Sequence, residues 1–73
     1  MAHKATAKNP DECREMFEQF AILLDIYASD QGAMALRHRN AGSKKELNNC
    51  NIRAEVYSGI AQEMREIEWS KEE

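Results

Sequence analysis

The chain has 73 residues, 42 % of them hydrophobic and 32 % charged, with a formal net charge of -3, one Pro and three Gly. That size admits one domain, near the lower limit at which a single hydrophobic core holds a fold. The composition excludes a disordered or fibrous chain, and the acidic balance argues against a generally cationic nucleic-acid coat or a membrane-surface peptide.

Residues 1–8, MAHKATAK, are polar, lack the apolar core of a secretory signal, and read as a flexible tail ahead of one domain over 9–73. No apolar run approaches the length of a membrane span, so the expected location is the cytoplasm. Asn9-Pro10-Asp11-Glu12 suits a helix start: Asn caps, Pro fits the first helical position, and the two acids complement the positive end of the helix dipole. From Cys13 the larger residues recur at Phe17, Phe20, Leu24, Tyr27, Gln31 and Met34, alternating four and three apart, which predicts one seam along a helix of about 10–38. Gly32 costs about 1 kcal/mol of helix propensity. Met34 keeps the register beyond it, so the helix is expected to continue.

Residues 37–45, RHRNAGSKK, read as a turn in which Asn40 and Gly42 tolerate left-handed backbone and Ser43 with Glu46 forms a capping box. A second helix of about 44–70 follows, with Leu47, Cys50, Ala54, Tyr57, Ala61 and Met64 as its seam. The expected fold is therefore all-α: an antiparallel two-helix hairpin. Folding the chain about Ala41 and Gly42 sets Phe20 against Ala61, Tyr27 against Ala54 and Leu24 beside Tyr57, large meeting small as a packed seam requires. Trp69 is expected to seal the open end, against Cys13.

Ile52, Val56, Ile60 and Ile67 do not belong to that seam. They form a second stripe roughly 130° around the helix, whereas packing on one partner needs an arc of about 100°. The expected occupant of this stripe is a second copy, giving a homodimeric four-helix bundle. Ile22 and Ile26, one turn apart and off the first seam, form a smaller apolar patch suited to a protein partner.

No catalytic chemistry is written in the chain. Its histidines, His3 and His38, fall in the tail and beside the turn, and Cys13 and Cys50 lie near opposite ends of the hairpin, so no triad, metal site or cofactor motif is expected. The cysteines read as free thiols. Arg37, His38, Arg39, Lys44 and Lys45 make the turn basic, while the far ends of both helices are acidic. The first three complement the end of helix one. Lys44 and Lys45 sit at a helix start and, with Ser43 and free backbone N–H groups, suit an acidic protein surface or a phosphate. The expected function is binding of a macromolecule without catalysis, as a regulator, adaptor or inhibitor of a larger protein or assembly, of the small size frequent among phage and mobile-element accessory proteins. The alternative is a nucleic-acid-binding helical dimer that uses the basic turn.

Overall fold

A computed structural model of the chain describes residues 3–73. Two helices, α1 (Pro10–Asn40) and α2 (Lys44–Glu66), pack side by side as an antiparallel hairpin, flanked by two four-residue strands, β1 (Lys4–Ala7) and β2 (Glu68–Lys71). The molecule measures 56 × 20 × 10 Å, with a radius of gyration of 16.2 Å. A compact domain of this length has a radius of about 11 Å, so the chain is a rod one helix pair wide.

The start of α1 is built as its sequence indicates. The Asn9 side-chain oxygen accepts the Glu12 N–H at 3.2 Å, its amide donates to the Glu12 carboxylate at 3.2 Å, and Pro10 opens the helix. The helix runs unbroken through Gly32 to Asn40. At its end Gly42 adopts φ 78°, Gly42 N–H donates to Arg39 C=O at 3.1 Å and Ser43 N–H to His38 C=O at 2.9 Å. These two bonds satisfy two of the last carbonyls, and the left-handed residue that permits them is a glycine because it has no Cβ to clash. Asn40 stays in ordinary backbone. Ser43 occupies the cap position of α2, but its side chain makes no capping hydrogen bond, so the expected Ser43–Glu46 box is not formed.

Two expectations at the chain ends need correction. Lys4–Ala7, read as part of a flexible tail, is a strand paired in parallel with β2, Lys4 beside Glu68 and Ala7 beside Lys71. Helix α2, expected to reach residue 70, stops at Glu66, where Ile67 turns extended at φ -67°, ψ 125°. Glu68 N–H donates to His3 C=O at 2.7 Å and Glu72 N–H to Ala7 C=O at 3.0 Å. A two-stranded sheet has little stability alone. Trp69 supplies an anchor by setting its ring edge-on to Phe17, centroids 5.0 Å apart at 82°. Breaking α2 brings this ring inward, and the strand hydrogen bonds replace the helical ones given up. Trp69 thus closes the open end, with its ring on Phe17.

The seam of α2 is the one expected: Cys50 and Ala61 are buried, and Leu47, Ala54, Tyr57 and Met64 are half-buried. The seam of α1 differs at its third, fifth and seventh members. Cys13, Phe17, Leu24 and Gln31 face α2, but Phe20, Tyr27 and Met34 are half-exposed, and their places are taken by Ala21, Ala28 and Ala35 one residue later. Ala21 and Ala61 are fully buried. Alanine on facing helices lets the backbones approach closely, which forces the larger neighbours to the flank. Large therefore does not meet small as predicted; small meets small, and the large residues are left over. Gln31 is the polar member of the seam, with its Oε1 buried and unpartnered and its Nε2 3.9 Å from Met34 Sδ.

Candidate functional site

The prominent feature of the surface is apolar. Among the described residues, eleven large hydrophobic side chains are exposed, from 39 % at Met34 to 58 % at Ile52. The chain presents 5732 Å² of surface, whereas a compact monomer of its 8.4 kDa presents about 4600 Å². The excess, about 1100 Å², is larger than the ~800 Å² that one partner contributes to a standard protein interface.

An ion bridge defines which side of the hairpin is which. Arg65 on α2 reaches across to α1, its Nη1 2.8 Å from Asp25 Oδ2 and its Nε 3.2 Å from both Glu18 carboxylate oxygens. Hydrogen bonding by Asp25, then Glu18, raises the guanidinium pKa further above its already high ordinary value. Around α1, Glu18 and Asp25 lie to one side of the seam, while Met16, Phe20, Leu23, Tyr27 and Met34 lie about 80° to the other, at ~100° per residue. Around α2, Arg65 lies to the bridged side, and Ile60 and Val56 lie to the opposite one. The two apolar flanks therefore share one side of the hairpin. Tyr27 and Tyr57 join them across the seam, ring centroids 5.9 Å apart. Met16, Gln19, Phe20 and Leu23 line a shallow groove on this face.

The residues singled out from sequence distribute unevenly over this geometry. Ile60 and Val56 sit on the apolar face, and Ile52 sits at its outer margin, turned away from α1; all three are exposed. Ile67 is half-buried at the end of α2. Ile22 and Ile26 are exposed on the side of α1 turned away from α2, apart from the main face. Arg37, Arg39, Lys44 and Lys45 are exposed around the turn and His38 is half-buried beside them. Among the described residues none of these five is held in an ion pair.

Sequence reading missed the α1 half of the face, because Phe20, Tyr27 and Met34 had been assigned to the seam inside the hairpin. A signal was present: Ala21, Ala28 and Ala35 repeat every seven residues beside them, so α1 carries two parallel heptad stripes, one small and one large.

Cys13 is half-buried and Cys50 buried, both free thiols. Among the described residues, no three His, Cys, Asp or Glu side chains are grouped to hold a metal ion. No described helix is long and apolar enough to cross a membrane. The fold and surface thus define an antiparallel helical hairpin with one apolar flank. No family model matches this chain, and no curated protein or solved structure resembles it closely enough to match.

Proposed function

We propose that the protein works by association and not by catalysis: two copies pair through the apolar flank into a four-helix bundle, and the bundle binds a larger protein or assembly as a regulator, adaptor or inhibitor. The observation that carries this reading is the apolar flank of the rod, formed by Met16, Phe20, Leu23, Tyr27 and Met34 of α1 with Val56 and Ile60 of α2. A contiguous patch of this kind on a small chain marks an interaction surface, and a second copy supplies a complementary one by symmetry. Burying it also adds to a core whose buried residues, among those described, are the small Ala21, Ala35, Cys50 and Ala61.

Pairing through this flank leaves Ile22 and Ile26 on the outside together with the basic turn, and these are the surfaces offered to a further partner. The dimer is tested by thermal unfolding over a hundredfold range of protein concentration. An associating chain melts at higher temperature when more concentrated, because the partner binds only the folded state. A melting temperature independent of concentration rejects self-association. For the further partner, salt separates an apolar protein contact, which barely responds, from phosphate binding at Arg37, Arg39, Lys44 and Lys45, which weakens steeply.

A further inference from the structure

The geometry points to one arrangement of the two copies: back to back through the apolar flank, with their turns at opposite ends of the bundle. This inference rests on the self-association proposed above and adds its orientation.

Two hairpins placed flank to flank with two-fold symmetry have two choices. If the axis runs along the helices, both turns lie at one end and α1 stacks on the partner's α2. If it runs across the helices, the turns lie at opposite ends, and each helix stacks antiparallel on its own copy. The charges at the ends of the stripes distinguish these cases. On α1 the stripe is bounded by Glu12 toward the open end and Arg37 toward the turn, both exposed, with Gln19 and Asp30 as polar interior positions. On α2, Lys45 near the turn and Glu63 near the open end lie on the same side of the helix as Val56, and both are exposed. Each helix therefore has an acid at one end of its outer stripe and a base at the other.

Antiparallel stacking of each helix on its copy brings Glu12 to the partner's Arg37, and Lys45 within about 6 Å, along the helix, of the partner's Glu63. The opposite arrangement brings Arg37 beside the partner's Lys45, like charge against like at the turn end. The apolar centres agree with the first choice. The α1 stripe from Met16 to Met34 centres on Asp25, and Ile52 to Ile60 centres on Val56. The contact between Tyr27 and Tyr57 places those two levels within about one helical turn of each other on the hairpin. One crossing axis then passes through the middle of both stripes. Leu23 meets the partner's Tyr27, and Met16 meets the partner's Met34. Electrostatic complementarity of this kind fixes register and rejects the wrong pairing, even where each exposed pair contributes little.

The test is carbodiimide cross-linking of the wild-type protein, followed by peptide mapping of the dimer band, with the dimer dissociation constant measured at low and high salt. Within one chain Lys45 and Glu63 lie about 27 Å apart along α2, at 1.5 Å per residue, too far for a zero-length amide. A link between Lys45 and Glu63 in the dimer band therefore arises only between copies with turns opposed. The expected result is that link, together with a dimer roughly tenfold weaker at about 500 mM salt than at about 50 mM. A dimer without it, or one that tightens as salt rises, overturns the opposed arrangement and leaves self-association standing. A single chain at every concentration overturns both.

Discussion

The Trp69 indole meets the Phe17 ring edge-on at 5.0 Å, tying the last strand of the chain to the second turn of the first helix. That contact is the point at which the open end of the hairpin is closed. It holds β2, and β2 holds β1 through the parallel register from Lys4–Glu68 to Ala7–Lys71.

Replacing the ring removes all three together. Trp69→Ala is expected to lower stability by about 2 kcal/mol, less than the ~3–5 kcal/mol of a fully buried aromatic because Trp69 is only half-covered. Amide exchange of residues 5–7 should rise to the rate of unprotected chain while helical circular dichroism changes little. Retained protection in β1 would show that the strands hold without the ring.

The closeness of the helices is tested at Ala21, which is fully buried. A leucine there wedges α1 from α2, and Ala21→Leu is expected to cost about 1–3 kcal/mol in urea unfolding. Were Phe20 the seam residue instead, Ala21 would point outward, and the same substitution would leave the midpoint unchanged or slightly raised.

Gln31 places an unpartnered amide oxygen in the seam. Gln31→Leu removes that orphan from an apolar interface and is expected to stabilise the hairpin by about 1 kcal/mol. An unchanged midpoint would mean that water already satisfies the oxygen.

How much of this was legible in the sequence follows from which signals had competitors. The α2 seam could be read from Leu47 to Met64, because a single set of residues fits the alternating spacing. On α1 two sets fit, and ranking by size chose Phe20, Tyr27 and Met34 over Ala21, Ala28 and Ala35. What decides between them is the distance between the helices, a property of the pair rather than of either helix. The Gly42 turn was legible because its chemistry is local. The strands were not: Ala5 and Trp69 pair across almost the whole chain, and neither KATA nor EWSK alternates polar and apolar strongly enough to announce a strand. The helical end of α2 was lost for the same reason, since only the pairing and the Phe17 contact stop it. Of the candidate surface, the α2 residues Val56 and Ile60 were found by their failure to join the seam, and the α1 residues were hidden by seeming to belong to it.

The apolar flank is proposed above as the surface between copies of this chain. The most direct measurement is solution mass by light scattering across a wide concentration range, on the wild type and on Ile60→Asp beside it. Ile60 is 43 % exposed and outside the hairpin seam, so in an isolated chain an aspartate there would be tolerated. The expected result is a mass of two chains for the wild type, and for Ile60→Asp a shift to one chain or loss of folded protein. A wild type that stays a stable single chain at every concentration would contradict it.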